Sequence, residues 1–406
     1  MKGKLKVLLI TSKFPRYEGD AQPPFVYYLA LELVKKGCEV HVLAPHDHLA
    51  KKEEIFHGIY VHRFVYFYPK KHQKVAYGPG IPDNLSKSTL AKIQSPLFAI
   101  SEIISAQKLV RKINPDIVHA HWAFPQGLAA MYSGKPYFVT IYGGEVFMSK
   151  KYHLLSVFEK IIKNSAESFS ITNGLKKVIK KFGIKSKFGV IPLGVDMKKF
   201  RPNIKGSDSI RKKFCSKKEL MILSVGRLVD KKGHKYLLEA FSKISEKIPN
   251  AKLIIVGDGP LYSTLTKMSE DLGLAKKIIF TKEINHSELP KYYSAADLFV
   301  LPSVVDKISN METQGVVFLE AMASKCPVIS TNTGGIPDVV INKKVGILVK
   351  QKNSKVLAEK MLLLLKNTSL RKSISENAYM HVKKNFTWNM IAKKYIAHYK
   401  KAIPKN

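Results

Sequence analysis

Asp297 to Val340 reads DLFVLPSVVDKISNMETQGVVFLEAMASKCPVISTNTGGIPDVV, and the order of apolar, polar and small residues in it indicates the type of fold. The apolar run from Leu298 to Leu301 predicts a buried strand, the small residues from about Gly315 predict a helix, and Val328 to Thr331 predicts a second strand. Strand, loop, helix and strand form the βαβ unit of a parallel sheet. The loop that ends at Gly315 therefore lies at the carboxyl edge of the sheet, where such sheets bind ligands.

The predicted start of this helix suits an anion. It has no bulky side chain, so the backbone amides of Gly315, Val316 and Val317 can point at a phosphate at the positive end of the helix. Glu312 and Glu320 flank that position, and a carboxylate beside a phosphate is repelled unless it accepts hydrogen bonds from sugar hydroxyls. The layout points to a nucleotide sugar. The alternative is two solvated glutamates near a helix start.

These motifs resemble a known signature. The pattern E-x7-E, followed by A-M-A and by T-G-G-I-P at Thr333 to Pro337, is similar to that of family 4 glycosyltransferases, also called glycosyl transferases group 1. The resemblance covers nearly the whole chain. It implies an α/β protein of the GT-B fold, with two Rossmann-like, doubly wound parallel-sheet domains facing a central cleft. It also implies retention of configuration, ribose binding by Glu320 and donor-sugar contact by Glu312.

A basic turn follows another predicted strand. Leu220 to Val225 is apolar and runs into Gly226, Arg227 and, five residues after the arginine, Lys232. The resemblance assigns the donor diphosphate to Arg227 and Lys232. A planar guanidinium can bridge two phosphate oxygens, and an ammonium acts as a point charge, so both residue types fit that role. The alternative is a basic turn on a basic protein.

Two further turns carry predictions about the donor. The Gly-Asp-Gly-Pro turn that starts at Gly257 ends an apolar strand, and we interpret it as a turn that lets the donor approach. The resemblance implies that the backbone from Thr281 to Ile284 holds the base.

One histidine of the first half is a candidate for the reacting centre. Pro-Asp-Ile-Val-His-Ala-His-Trp places His121 at the end of a predicted strand, and the resemblance implies that it reaches the donor sugar. The alternative is a structural histidine. Glu145 follows the next predicted strand in Gly-Gly-Glu, where relatives commonly have His-Gly-Ser-Asp. We expect Glu145 to line the acceptor side of the cleft without an assigned catalytic role.

The resemblance also divides the chain. It implies an acceptor-side domain over residues 1–200, a donor domain over 201–385 and a terminal helix over 386–406 that crosses back to the first domain. The loop from Ser12 to Pro24 resembles the acceptor-side loop of the family, with Gly19 and Asp20 where many members have two adjacent glycines.

The composition indicates the cellular compartment of the protein and its partners. Three cysteines without metal or redox spacing predict a reducing compartment, and no apolar run approaches the roughly 18 residues of a membrane span. We expect a cytoplasmic protein. The formal charge of +37 comes from lysines dispersed over the chain, without a nucleic-acid-binding signature. An anionic membrane surface is the favoured partner over nucleic acid, and compositional bias is the alternative.

A possible membrane contact lies in the loop from Tyr66 to Lys74. It places Tyr66, Phe67 and Tyr68 beside Lys70, Lys71 and Lys74, a mixture that suits a lipid headgroup boundary. The alternative is a hairpin whose aromatic side chains pack inward. Docking there, on the inner face of the cell membrane, would bring the protein to a lipid-linked acceptor.

The chemistry expected from these residues is metal-independent hexosyl transfer to a hydroxyl acceptor, with a lipid-linked or cell-surface glycan precursor as one candidate. No two aspartates lie two residues apart, so the Asp-x-Asp metal motif is missing, and no cofactor is expected. Preorganised cations and amides would instead stabilise the departing diphosphate. Two rivals stay open: a nucleotide-sugar epimerase of the same fold, and a non-catalytic basic protein that binds membranes.

Overall fold

The computed structural model describes residues 4–20, 25–78, 80–306 and 310–403. Residues 21–24, which end the Ser12–Pro24 loop, lie outside the described residues. The chain forms two compact units: unit 1 comprises residues 1–192 and 388–406, and unit 2 comprises residues 193–387. The boundaries expected at residues 200 and 385 lie eight and two residues from these positions.

Unit 1 contains an eight-stranded sheet in the order β3-β4-β2-β1-β5-β6-β7-β8. Neighbouring strands are parallel except for the antiparallel pair of β3 and β4. Both faces of the central strands are buried, which explains their continuous apolar runs. The strands are β1 (Lys6–Ile10), β2 (Glu39–Pro45), β3 (Glu53–Phe56), β4 (Ile59–Phe64), β5 (Ile117–His121), β6 (Tyr137–Ile141), β7 (Glu167–Ser170) and β8 (Gly189–Val190).

Helices connect the parallel strands of unit 1. Helix α3 is the longest of them, and its start is capped by the Ser88 side chain, which accepts a hydrogen bond from the Ala91 amide at 3.2 Å. The helices are α1 (Phe25–Lys35), α2 (Ile81–Lys87), α3 (Thr89–Ile113), α4 (Gln126–Met131), α5 (Gly144–Lys151), α6 (Leu155–Lys163) and α7 (Asn173–Lys181).

Unit 2 contains a six-stranded, fully parallel sheet in the order β11-β10-β9-β12-β13-β14. The strand order reverses between β9 and β12, and open parallel sheets bind ligands at the carboxyl ends of such a pair. The elements are β9 (Leu220–Val225), β10 (Ala251–Val256), β11 (Ile278–Phe280), β12 (Leu298–Leu301), β13 (Val328–Thr331) and β14 (Ile347–Val349), with α8 (Ser207–Phe214), α9 (His234–Lys247), α10 (Tyr262–Asp271), α11 (Leu289–Ala295), α12 (Val316–Ala323), α13 (Ser354–Lys366) and α14 (Thr368–Asn385).

The βαβ unit at the centre of the sequence argument is present as β12, α12 and β13. Gly315 is the N-cap of α12 and has a positive φ of 77°. A Cβ at this position would lie 2.5 Å from the ring of Phe318, so only glycine fits both the backbone conformation and the space. The neighbouring Gln314 side chain is buried and accepts from the amide of Leu193 at 2.7 Å. Gln314 therefore holds the first residues of unit 2 in place.

The last helix, α15 (Trp388–Ala402), belongs to unit 1 and packs against α1. The rings of Trp388 and Tyr28 stack with centroids 5.9 Å apart. The Tyr399 hydroxyl lies 2.5 Å from Nδ1 of His119 inside the sheet. A strand that carries a buried histidine is therefore tied directly to the end of the chain.

The Tyr66–Lys74 loop divides its aromatic residues between core and solvent. Tyr66 is buried and its hydroxyl accepts from the Val75 amide at 3.1 Å, so the expectation that it faces a lipid boundary is wrong for this residue. Tyr68 is exposed. The three lysines of the loop, Lys70, Lys71 and Lys74, are also exposed.

Among the helices that the structure describes, none has the length and apolar character needed to cross a bilayer. The three cysteines are buried thiols.

Candidate active site

The carboxyl edge of the unit 2 sheet joins a lysine and a glutamate that lie 80 residues apart in sequence. A short 3-10 turn over Asp230–Lys232 follows β9, and the loop between β12 and α12 carries Glu312. The Lys232 ammonium donates to Oε2 of Glu312, and both side chains are largely buried. Two residues to which the resemblance gives separate roles are therefore one ion pair.

The charge state of Glu312 is set by this pairing. Burial by itself would raise the pKa of the carboxyl group, but the attraction and hydrogen bond of Lys232, with a smaller contribution from Lys231, outweigh it. The pKa of Glu312 is therefore lowered from its ordinary value. Burial lowers the pKa of Lys231, and the negative charge of Glu312 opposes that shift. The charges of both lysines thus act on the Glu312 carboxylate.

The T-G-G-I-P segment holds the backbone of Glu312. The Gly335 amide donates to the Glu312 carbonyl oxygen at 3.0 Å. Gly334 has a φ of 57°, and a Cβ there would lie 2.2 Å from the same oxygen. A side chain at position 334 would push the two loops apart, so glycine fixes the position of Glu312.

The second glutamate of E-x7-E lies in a separate hydrogen-bonded cluster. The Tyr293 hydroxyl donates to Oε2 of Glu320 at 2.9 Å, and Nε2 of His286 lies 3.3 Å from Oε1. Nδ1 of His286 lies 2.7 Å from the Lys199 ammonium, which can only donate. Nδ1 must therefore accept, Nε2 carries the proton, and His286 donates to Glu320.

The remaining predicted donor residues lie at the same edge of the sheet. Gly226 and Gly257 contribute backbone hydrogen bonds. The Gly226 amide donates to the Val256 carbonyl at 3.0 Å, and the Gly257 amide donates to the Lys282 carbonyl at 2.9 Å. Thr281 continues this backbone, because its amide donates to the Ile255 carbonyl at 3.0 Å. These bonds hold the ends of β9, β10 and β11 together.

Three other predicted donor residues, Arg227, Ile284 and Val316, also belong to unit 2. Arg227 is exposed, and its positive charge acts on Lys231. Ile284 is partly buried and packs against the core of the unit. Val316 is the first residue of α12.

In unit 1, His121 ends β5 and is buried. Its Nδ1 lies 2.6 Å from the Tyr142 hydroxyl, whereas Nε2 has no hydrogen-bond partner among the described residues. Burial lowers the pKa of His121 to about 3, so the ring is neutral near pH 7. A buried ring nitrogen without a partner is costly, and a ligand hydroxyl would satisfy it.

Glu145 stabilises the turn after β6. Its carboxylate accepts from the amides of Tyr142 and Gly143 at 2.8 and 2.9 Å. Burial raises the pKa of Glu145 to about 7 although these backbone hydrogen bonds oppose the shift. Glu145 also lines a cavity of unit 1, described below.

The loop before α1 contains the two acceptor-side candidates Gly19 and Asp20. Asp20 is paired with Arg16, whose Nε lies 2.9 Å from its carboxylate, and Gly19 is exposed in a left-handed conformation. Asp20 is thus engaged within its own loop.

The described residues contain no group of three or more His, Cys, Asp or Glu side chains that could hold a metal ion.

Comparison with solved structures gives the fold. Sucrose-phosphate synthase from Thermosynechococcus elongatus is 21% identical with a TM-score of 0.78, over 98% of this chain and 99% of that chain. The Anabaena protein Alr3699/HepE, solved with UDP and glucose, is 17% identical with a TM-score of 0.72, over 98% of this chain and 100% of that chain. The fold is that of the GT-B glycosyltransferases.

Family models give the narrower assignment. "Glycosyltransferase Family 4" matches residues 24–199, and "Glycosyl transferases group 1" matches residues 207–381. The chain therefore belongs to glycosyltransferase family 4.

Relatives in sequence are also glycosyltransferases. TuaC of Bacillus subtilis strain 168, a glycosyltransferase assigned to teichuronic acid biosynthesis, is 28% identical over 94% of this chain and 95% of its own length. A GDP-mannose-dependent alpha-(1-6)-phosphatidylinositol monomannoside mannosyltransferase of Mycobacterium tuberculosis is 31% identical over 52% of this chain and 56% of its own length. The chain thus matches only about half of the mannosyltransferase.

Sequence reasoning missed several residues of these clusters. Lys199, His286 and Tyr293 hold Glu320, and Lys231 adds charge beside Glu312. Their sequence neighbourhoods carry no motif that relates them to the glutamates. Tyr142, which contacts His121, directly precedes the Gly-Gly-Glu segment, so its position in the sequence was a signal.

Proposed function

We propose that this chain is a retaining hexosyltransferase that moves a sugar from a nucleoside diphosphate sugar to a hydroxyl acceptor. The observation that carries the proposal is the buried Lys232–Glu312 pair beside the start of α12. An ammonium has three N–H donors, so Lys232 can keep its bond to Glu312 and still donate to a phosphate oxygen. Glu312 then has a free oxygen for a sugar hydroxyl.

Charge explains why this pair suits the departing diphosphate. Negative charge grows on the leaving group as the glycosidic bond breaks, and fixed cations stabilise that charge without reorganising. Lys232 and Lys231, together with exposed Arg227, provide cations at the edge of the sheet. The amides of Gly315 and Val316 at the start of α12 add partial positive charge.

The ribose is assigned to Glu320. Two of its hydrogen bonds come from Tyr293 and His286, which fix the carboxylate without neutralising all of its acceptor positions. A carboxylate held in one orientation recognises a pair of vicinal hydroxyls with little loss of side-chain entropy. The backbone from Thr281 to Ile284 is assigned to the base.

His121 is proposed to contact the donor sugar through its unpartnered Nε2. The ring is neutral, so it would act as a hydrogen-bonding group rather than as a proton donor with a charged imidazolium. Retention is expected by displacement on the same face of the sugar, with a donor phosphate oxygen accepting the proton of the acceptor.

A donor screen tests this function. UDP-, GDP- and ADP-linked hexoses are incubated with the protein, release of the nucleoside diphosphate is measured, and the anomer formed is followed by NMR. We expect release from at least one donor and an unchanged rate with EDTA, and Lys232→Ala serves as the inactive control. Turnover of the donor to an epimer without release would support the epimerase instead, and a strong loss with EDTA would contradict metal independence.

The acceptor is proposed to be lipid-linked and reached at an anionic membrane surface on the cytoplasmic side. The support is the net charge of +37 and the exposed side chains of Lys70, Lys71 and Lys74, each of which adds about 1 kcal/mol near anionic headgroups before screening by salt. Vesicle cosedimentation should show salt-sensitive binding to anionic lipid that falls when the three lysines become glutamate. Equal binding by the triple variant would indicate a different docking surface or a soluble acceptor.

A further inference from the structure

A large cavity lies within unit 1. Its volume is about 780 Å³, within the range of roughly 300–1,000 Å³ that is usual for small-molecule sites. Lys13 follows β1, Trp122 follows β5 and Glu145 follows β6, and all three line it. The cavity therefore opens at the carboxyl edge of the unit 1 sheet, where a ligand is expected.

The walls of the cavity are mainly apolar. Side chains of α2, α3 and α5 form most of the lining, among them Ile81, Leu85, Phe98 and Met148. The available interior therefore favours a hydrocarbon over a sugar, because an apolar wall offers few partners for hydroxyl groups.

The acidic groups at the wall are compatible with an apolar ligand. Gln126 lines the cavity and donates to the buried Glu102 carboxyl of α3 at 3.1 Å. Burial raises the pKa of Glu102 to about 8, so at neutral pH this side chain is mostly uncharged. Glu145 directs its carboxylate to backbone amides of its own turn. Neither acid places an unsatisfied negative charge in the cavity.

Helix α3 carries an exposed apolar stripe beside this cavity. Single exposed apolar residues are common, but five at helical spacing on one face form a surface that usually contacts a partner. Their side chains are 36–63% exposed, and they are Leu90, Ile93, Leu97, Ile100 and Ile104.

The stripe and the cavity occupy adjoining faces of α3. Ile93, Leu97 and Ile100 each directly follow a residue that lines the cavity, at positions 92, 96 and 99. Consecutive residues on an α-helix are about 100° apart, so one face of α3 forms the cavity wall and the next faces solvent. A molecule that contacts the stripe is therefore beside the cavity.

Two lysines provide positive charge at the cavity. Lys13 lines it, and its ammonium donates to the Gly78 carbonyl at 3.0 Å, which leaves further N–H donors for a ligand. Lys92 also lines it and is exposed. An apolar interior with ammonium groups in its lining matches an amphipathic molecule that has a hydrocarbon chain and an anionic head.

We propose that this cavity binds the hydrocarbon chain of an anionic single-chain lipid, and that the apolar stripe of α3 rests in the surface of an anionic bilayer from which the lipid enters. The lipid would be the acceptor, a part of the proposal that rests on the proposed transferase function. Lipid binding itself requires no donor. The rival occupant of the stripe is a second copy of the chain.

Tryptophan quenching tests the cavity. The chain has two tryptophans, so Trp388→Phe leaves Trp122 in the cavity wall as the single reporter. Dibromostearate quenches a nearby indole, and we expect saturable quenching of Trp122. Ala99→Phe, which fills part of the cavity, should weaken binding about tenfold, the effect of excluding about two methylene groups. Ala99→Ser, which leaves the cavity open, should bind as the parent.

Equal quenching of the Ala99→Phe variant and its parent, or no quenching at all, would overturn the cavity assignment. Because Ala99→Phe could unfold unit 1, circular dichroism of each variant is recorded first. The stripe variants below give a second result that does not depend on filling the interior.

Vesicle binding tests the stripe. Ile93, Leu97 and Ile100 are changed together to glutamine, and cosedimentation is measured with phosphatidylcholine vesicles with and without phosphatidylglycerol. The triple variant should lose at least tenfold in affinity for the anionic vesicles. Leu49→Gln with Ile55→Gln, two exposed apolar residues elsewhere in unit 1, should keep the parent affinity. A parent that is dimeric in solution, with a monomeric triple variant, would show that the stripe is a self-interface and would overturn the proposal.

Nucleotide titration of the same variants separates this inference from the proposed function. UDP, GDP and ADP are titrated into the parent, the Ala99→Phe variant and the triple glutamine variant, and nucleotide affinity should be equal in all three. If nucleotide binds and neither lipid probe does, the lipid inference is wrong and the transferase proposal stands. If both lipid probes bind as expected and no nucleotide does, the transferase proposal fails and the lipid site stands.

Discussion

Removing the Lys232 ammonium should destabilise unit 2 and abolish most turnover, and the two effects should respond differently to a second substitution. In Lys232→Met the carboxylate of Glu312 loses its partner while it stays largely buried. Removing one partner of a buried ion pair typically lowers the free energy of unfolding by about 3–5 kcal/mol. Lys231 remains near and each partner keeps a small exposed fraction, so we expect about 3 kcal/mol.

The double variant Lys232→Met, Glu312→Gln removes the unpaired charge. Its free energy of unfolding should return to within about 1 kcal/mol of the parent, so the second substitution should recover about 2 of the about 3 kcal/mol lost in Lys232→Met. Turnover should stay about 100- to 1,000-fold below the parent in both variants, because the cation at the leaving diphosphate is missing in both. Urea unfolding measures the stability, and release of nucleoside diphosphate measures turnover.

The pH dependence of Lys232→Met supplies an independent check. With Lys232, the lowered pKa of Glu312 stabilises the fold above the ordinary carboxyl pKa, and this contribution is lost as the pH falls. Without Lys232, burial should raise the pKa of Glu312, so the variant should lose stability as the pH rises above about 4.5. The stability difference from the parent should therefore shrink between pH 7 and about pH 4.5.

Lys276→Met, at an exposed lysine of the same unit, is the control and should change neither property. A double variant no more stable than Lys232→Met would refute the expected recovery. Near-full turnover of Lys232→Met would refute the role of Lys232 at the diphosphate.

Three further predictions follow from the other clusters. Glu102→Gln should stabilise the protein by up to roughly 4 kcal/mol at pH 8 and little at pH 4.5, because a raised carboxyl pKa removes stability as the pH rises. Thermal unfolding at both pH values measures this, and an equal shift of the unfolding temperature at both would contradict it. Glu320→Ala should weaken nucleotide binding in calorimetry while Glu312→Ala spares it and lowers transfer; equal loss of affinity would contradict the split. His121→Gln should leave the shape of the pH–rate profile unchanged between about pH 6 and 8, since the ring is already neutral there, and a lost ionisation near pH 6.5 would contradict that.

Much of the fold could be predicted from the sequence because its signals are local. The strands β9, β12 and β13 begin and end where their apolar runs indicate. Strand β3 was not predicted, since its sequence Glu-Glu-Ile-Phe is half charged and it gains its strand conformation by pairing with β4. Edge pairing of this kind depends on a neighbour rather than on local preference.

The sequence indicates candidate site residues, but it does not indicate which residues contact them. The pattern E-x7-E predicts Glu312 and Glu320 as site residues, but the partners of each come from distant loops. The ion pair with Lys232 and the hydrogen bond from His286 therefore follow only from tertiary packing. Tyr66 illustrates the same limit, since its neighbours in sequence suggested solvent and the loop instead turns it toward α3, where its ring lies 5.0 Å from that of Phe98.

Isothermal titration of UDP, GDP and ADP into the parent and into Glu320→Ala tests whether Glu320 belongs to a nucleotide site. We expect at least one of these nucleotides to bind the parent with one site per chain. Its affinity should fall at least tenfold in Glu320→Ala, because the carboxylate held by Tyr293 and His286 binds the ribose hydroxyls. The Glu359→Ala variant, on α13, is the matched control and should bind as the parent. Absence of binding by all three nucleotides, or equal affinity for Glu320→Ala and the parent, would contradict a nucleotide-sugar site at this edge of the sheet.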